Sequence, residues 1–175
     1  YRVHAPGGGV RFIEDRFRVV FAKDGLTKRI EGIASDITDR VISEEERAMV
    51  EAVLNLKDRA LQSSTSGIVM ADLRLPDQPI VYVNPAFERM TGYAATDVYG
   101  QNCRFLQGDE RDQKALEEVR AAVRERRAAT VVLRNYRKDG TLFWNELSIA
   151  PVADSSGEIT HFVGVQTDIT ERRRA

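Results

Sequence analysis

Apolar and polar positions alternate with a period of two in several short stretches, which is the pattern of half-buried β-strands. Residues 130–136 (TVVLRNY) are rich in β-branched side chains and run into Lys138-Asp139-Gly140, a hairpin turn signal. Residues 143–152 supply the partner strand, Asp154-Ser155-Ser156-Gly157 a second turn, and residues 159–167 a third strand. Upstream, residues 67–73 and 79–83 form a predicted hairpin around Arg74-Leu75-Pro76-Asp77. Between these two groups the period lengthens. Asn84-Pro85 reads as a helix cap followed by proline at the first helical position. Short helices over 86–91 and 95–98 and a longer one over 112–127 complete the middle. Five antiparallel strands, with helices gathered on one face of the sheet, predict an α+β fold.

The chain also repeats itself. Residues 25–40 (GLTKRIEGIASDITDR) and 157–172 (GEITHFVGVQTDITER) share G-x6-G-[IV]-x-x-D-I-T-[DE]-R, at an offset of 132 residues (157 − 25). The offset holds upstream without a gap, pairing Phe12 with Trp144 and Gly8 with Gly140, so Gly7-Gly8-Gly9 reads as a hairpin turn. The expected organisation is the C-terminal part of one domain (1–38), a connecting helix (39–60), a complete domain (61–170) and the start of a C-terminal helix (171–175). The first segment, half a domain, is expected to pair with another chain, to swap, or to be partly mobile.

Ser43-Glu44-Glu45-Glu46 has the spacing of a capping box and marks the expected start of the connecting helix. Ile42, Met49 and Leu56 recur every seven residues, interleaved by Val53 and Ala60, although Glu46 takes one seam position. A short coiled coil explains this pattern, and so does a helix packed on its own domain. Dimerisation through 39–60 is the expectation.

Composition removes several functions. The 175 residues carry a net charge of −1 with both signs interspersed, so no basic face speaks for nucleic acid. No apolar run approaches the roughly 20 residues that cross a bilayer, and no secretory pattern opens the chain; a cytoplasmic location is expected. One cysteine excludes a disulfide framework and a cysteine zinc site within one chain, and the two histidines, His4 and His161, are too separated for a metal site. Neither a phosphate-cradling glycine loop nor a nucleophile–base pairing is present, so no enzyme is expected within these residues.

Cys103 lies in Gly100-Gln101-Asn102-Cys103-Arg104-Phe105-Leu106-Gln107. This stretch matches in full the G-x-N-C-R-F-L-Q motif of LOV (light-oxygen-voltage) domains, the light-sensing branch of the PAS family. The resemblance continues through Asn135-Tyr136-Arg137-Lys138-Asp139-Gly140, Phe143-Trp144-Asn145 and Gly164-Val165-Gln166, and covers roughly 61–170. The earlier copy resembles only the C-terminal part of an ordinary PAS domain.

The residues fit that chemistry on their own terms. The polar edge of a flavin ring both donates and accepts, and amide side chains answer to both. Asn135, Asn145 and Gln166 lie on three successive predicted strands, and a buried amide left unpaired costs about 1–3 kcal/mol. The repeat supplies a control. The offset maps these positions onto Val3, Ile13 and Ala34, so the fold does not demand amides there and the first copy is not expected to bind flavin through this face.

The resemblance implies that Asn102 and Gln107 contact the ring and its ribityl chain, and that Arg104 and Arg120 hold a terminal phosphate. Two such arginines favour FMN over riboflavin; FAD stays open because an adenine tail could project outward. It further implies that Cys103 forms a reversible, light-driven bond to flavin carbon C4a. Gln166 would then reorient beside N5 and pass the change to the flanking helices and an output domain outside these residues, by family habit a histidine kinase or a cyclic-dinucleotide enzyme. The alternatives are a light-insensitive flavin redox protein and a PAS dimerisation module.

Overall fold

The computed structural model describes residues 1–21 and 28–174. Gly25, the first position of the earlier repeat, lies outside the described residues, as does Ala175. The chain forms two compact units, divided between Lys57 and Asp58.

In the first unit, β1 (Arg2–His4), β2 (Val10–Phe21) and β3 (Lys28–Asp36) form an antiparallel sheet in that order. The glycine run closes the β1–β2 hairpin as expected. Gly7, Gly8 and Gly9 all take positive φ, and the Gly8 N–H donates to the Ala5 carbonyl at 3.1 Å. Helix α1 (Thr38–Ser63) follows, begins in this unit, and ends in the second.

Its start corrects the sequence reading. The capping-box serine, Ser43, sits inside the helix, because an earlier acceptor takes the first free donor. Asp36 Oδ1 receives the Thr38 N–H at 3.0 Å and the Thr38 hydroxyl at 2.5 Å. The helix also runs past the expected 39–60, through Ser63, and none of its residues is buried.

The second unit contains β4 (Gly67–Asp72), β5 (Ile80–Val83), α2 (Pro85–Thr91), α3 (Ala95–Val98), a 3-10 helix (Cys103–Gln107), α4 (Lys114–Glu125), β6 (Ala129–Tyr136), β7 (Leu142–Ala153), β8 (Ile159–Asp168) and α5 (Thr170–Arg174). All five expected strands form, in the order β5-β4-β8-β7-β6, with every neighbouring pair antiparallel. Closing this order requires β4 to pair with β8 across about a hundred residues of sequence, Gly67 opposite Gln166. The 3-10 helix was not expected, and α4 is shorter at both ends than 112–127. Arg126 ends it in the left-handed region (φ 55°).

Asn84 fastens the entrance of the domain. Fully buried, it accepts from the N–H groups of Ile68 (2.7 Å) and Phe87 (3.0 Å) and donates to the carbonyls of Leu61 (3.0 Å) and Ser66 (3.1 Å). Every hydrogen-bonding position of its side chain is filled, which is how a buried amide becomes stabilising rather than costly. Apolar packing does the rest. Val69, Ile80, Val83, Phe87, Val98 and Leu106 make one cluster; Ala122, Ile149 and Phe162 make a second beneath α4.

The offset of 132 seen in the sequence reappears in the pairing. Asn135 faces Phe143 and Val3 faces Arg11; Asn145 faces Asp168 and Ile13 faces Asp36; Leu147 faces Gln166 and Asp15 faces Ala34. The Asp-Ile-Thr tripeptide has one structural job in both units. The Thr170 hydroxyl oxygen accepts from Trp144 N–H at 2.9 Å while Ile169 N–H donates to the Trp144 carbonyl at 2.9 Å. Thr38 and Ile37 do the same to Phe12, at 2.9 and 2.8 Å.

Candidate functional site

Alternation along the strands sends Leu133, Asn135, Phe143, Asn145, Phe162, Gly164 and Gln166 to one face of the sheet, where all are buried. The 3-10 helix, α4 and the segment joining them stand over this face. They enclose with it a cavity of about 670 Å³, within the roughly 300–1,000 Å³ of small-molecule sites. All eight residues singled out from sequence line it: Asn102, Cys103, Arg104, Gln107, Arg120, Asn135, Asn145 and Gln166. The first four come from the start and turns of the 3-10 helix, Arg120 from α4, and the three amides from β6, β7 and β8.

The amides lie along a diagonal of the sheet and form a chain. Asn145 Nδ2 donates to Asn135 Oδ1 at 2.8 Å and to Gln166 Oε1 at 3.1 Å, and Asn135 Nδ2 donates to the Arg134 carbonyl at 3.0 Å. Each is at most 2% exposed. Asn145 Oδ1 is left buried with no hydrogen-bond partner among the described residues. An amide oxygen in that position is costly unless a donor arrives from the cavity. A flavin ring carries such a donor on the same edge as its acceptors, so the donor set fits. Gly164 leaves the room. A Cβ there would come within 3.0 Å of Val69 Cγ1 and 3.4 Å of Leu147 Cδ1, on the cavity floor. The register-equivalent positions in the first unit, Val3, Ile13 and Ala34, carry no amide.

Across the cavity, Asn102 caps the 3-10 helix. Its Oδ1 accepts from Arg104 N–H at 3.0 Å, and its Nδ2 donates to the Asp77 carbonyl at 2.6 Å. Cys103, the next residue, is half-buried and packs against the cluster of Val69, Ile80 and Leu106. Burial pushes its thiol up to about 11, so it stays protonated through neutral pH. Arg104 lines the cavity with its guanidinium held by both oxygens of Asp77, one bond being 2.9 Å. Arg120 Nη2 donates to the Arg111 carbonyl at 3.0 Å.

Sequence reasoning missed the cavity's apolar lining (Leu116, Val119, Leu147 and Ile149 among it) and four polar residues of its rim, Gln78, Arg111, Arg124 and Arg126. The apolar residues were visible only as generic core. Gln78 and Arg111 stand in connecting segments, where no periodicity points inward. Among the described residues no group of three or more His, Cys, Asp and Glu is placed to hold a metal ion, and no helix is long and apolar enough to cross a membrane.

A single antiparallel sheet with helices over one face, enclosing a ligand-sized cavity, is the architecture on which the comparisons agree. Residues 65–171 match the model of the PAS domain, and the chain belongs to that family. Within it, residues 65–171 are a LOV domain. The LOV domain of the Erythrobacter litoralis EL346 blue-light activated histidine kinase is 42% identical, with a TM-score of 0.57 over 60% of this chain and 96% of that one. An RNA-binding light-oxygen-voltage receptor is 36% identical, with a TM-score of 0.66 over 95% of this chain and 42% of that one. A blue-light photoreceptor of Listeria monocytogenes is 46% identical over 112 residues, 64% of this chain and 44% of that protein. The chain spans less than half the length of the curated relatives it matches most strongly.

Proposed function

We propose that the second unit is a blue-light sensor that binds FMN in this cavity and signals through a reversible bond at Cys103. One observation carries the reading: the only cysteine of the chain and three buried amides, one with an orphaned oxygen, line the same cavity. The reading is supported by relatives named blue-light photoreceptor and blue-light-activated histidine kinase, and by a solved LOV structure described with a flavin analogue.

Asn135, Asn145 and Gln166 would orient the ring through its polar edge, and Asn102 and Gln107 would meet it and the ribityl chain from the opposite wall. Arg104 and Arg120 would hold the phosphate, which favours FMN over riboflavin. The flavin supplies the photochemistry. Cys103 would supply a neutral thiol, nucleophilic sulfur and proton together, for the reversible light-driven bond to that group. Because the proton travels with the sulfur, no resting thiolate is needed, in keeping with a thiol held protonated by burial. Gln166 can present oxygen or nitrogen to N5 by rotating its amide.

From Gln166 the change would travel along β8 to Asp168-Ile169-Thr170 and so into α5, and through Gly67, its partner on β4, toward α1. An output domain beyond these residues would read it. Dimerisation through α1 and the origin of residues 1–38 in a second PAS domain complete the proposal; no catalytic step is assigned to this chain.

The test is optical. The purified protein should be yellow, bleach under blue light, and recover in darkness. Cys103→Ala should stay yellow under the same lamp. A wild-type protein that binds flavin and never bleaches would overturn the sensory reading.

A further inference from the structure

We infer that Arg137 is a positioning residue that latches the exit of the second unit, its one guanidinium tying the end of β8 to the end of α2 around Gln166; this rests on the flavin reading above. Arg137 opens the β6–β7 turn, and its backbone is fixed there. Its N–H donates to the Thr141 carbonyl and its carbonyl accepts from Gly140 N–H, both at 2.9 Å. The next residue, Lys138, donates its N–H to the carbonyl of Thr91, the last residue of α2, at 2.9 Å.

From this fixed point the guanidinium reaches two ways. Nη1 donates to the Met90 carbonyl in the last turn of α2, where a helix has carbonyls to spare and favours a cation. Nη2 donates to Asp168 Oδ2 at 2.5 Å. Between the two, Cζ stands 4.7 Å from the centre of the fully buried Phe143 ring. The Arg137 side chain is 27% exposed and that of Asp168 28%, so water screens their ion pair less than one at the open surface.

These contacts close a ring around Gln166. Asp168 lies two residues further along β8, and Gly67 lies opposite Gln166 on β4. The room above Gly67 is taken by Met90, whose Cε would be 2.8 Å from a Cβ there. Two neighbours of Gln166, on different elements, are thus held by the same cation. The carboxylate of Asp168 is divided between two duties. Its Oδ1 accepts from the N–H and hydroxyl of Thr170 at 2.9 and 2.5 Å, at the start of α5, and its Oδ2 is left for Arg137.

The first unit separates what the Asp-Ile-Thr tripeptide needs from what Arg137 adds. Asp36, the counterpart of Asp168, gives Oδ1 to Thr38 in the same way, and its Oδ2 accepts from Arg11 at 2.9 Å. Yet the offset of 132 pairs Arg11 with Phe143, and Arg137 with Ala5. An arginine reaches the second oxygen from two unrelated positions, which speaks for a need of the tripeptide itself. In the first unit it comes from β2 and the pair is 61% and 40% exposed. In the second it comes from the turn, where the same fork also reaches α2. A shift of β8 that begins at Gln166 must then work against both bonds before α5 can move.

The test reads flavin content and bleaching first, then amide exchange at Ile169 and Thr170 in darkness and under blue light. In the wild type, light should raise exchange at both amides. Arg137→Ala should bind flavin and bleach as before, exchange these amides about tenfold faster in darkness, and keep less than about a twofold response to light. Arg137→Lys retains the charge without the fork and should recover part of the dark protection. Amides at the far end of the β6–β7 ladder, where Val131 faces Leu147, should exchange as in the wild type, which distinguishes an opened latch from a loosened fold. Asp168→Asn keeps an acceptor for Thr170 and removes the ion pair, and carries the same expectation should Arg137→Ala fail to fold. Dark protection and light response both retained in the variant, or no light response in the wild type, would overturn the latch. A wild type that binds no flavin, or never bleaches, would instead overturn the flavin reading itself.

Discussion

Asn145 uses one nitrogen to hold two neighbouring amide oxygens and leaves its own oxygen with nothing to accept from. Such a residue is poorly chosen for a dry core and well chosen for a ligand. The repeat indicates what the same sheet accepts in its place. Converting Asn135, Asn145 and Gln166 to Val, Ile and Ala, the residues at the matching positions of the first unit, should leave a folded but colourless protein. Circular dichroism and absorbance read the two outcomes separately; retained yellow colour would count against the amides. At Cys103 the raised thiol sets a second expectation. The folded thiol ionises near 11, so its proton is retained while an unfolded chain releases its own from about 8.5 upward. Alkylation by iodoacetamide should therefore be slow at pH 8 in the native apoprotein and fast after denaturation. The same retention makes stability fall as pH rises between those values. Equal rates in the two states would show that the sulfur is not shielded.

Seven of the eight cavity-lining residues named from the chain could be read from strand alternation or a dense motif, and Arg120, one of several arginines on α4, only from the resemblance. Arg111 could not, since an arginine in a connecting segment looks the same whether it faces water or a cavity. The elements divide in the same way. Strands 130–136, 143–152 and 159–167 are legible because their alternation is bounded by Gly-containing turns, and each is found within a residue of its expected limits. The expected bound of 39 lies within a residue of Thr38, but the cap was misassigned because Ser43-Glu46 is a local signal, whereas Asp36 and Thr38 act together with the strand residue Phe12. The 3-10 helix has too few residues for a period to show. Replacing Thr170 by Val tests the tether directly. It removes the acceptor of Trp144 N–H and the hydroxyl bond to Asp168, and should cost about 1–3 kcal/mol. Amide exchange should rise at Trp144 and at Arg173, whose N–H donates to Ile169 at the start of α5. Unchanged protection at both would remove the tether's importance.

On the scale of the whole chain, α1 is the element with the most left to explain. Its 26 residues include no buried side chain, and Ile42, Met49 and Leu56, the seven-residue series, are 44%, 71% and 67% exposed. An apolar stripe of this kind is costly in water and is satisfied by a second helix. Met49→Glu should shift the purified protein toward half its mass in light scattering coupled to size exclusion, with flavin content unchanged. A wild type that is monomeric at every concentration would leave the stripe to another partner. The two Asp-Ile-Thr joints give the molecule one more property. Because each bolts a helix directly to an interior strand of its sheet, β2 in the first and β7 in the second, the helix has no slack in which to lose its azimuth. One residue inserted between Ile169 and Thr170 would swing the residues of α5 by about 100° around the axis, so spacing at the joint, and not only sequence, fixes the direction in which the helix presents its side chains.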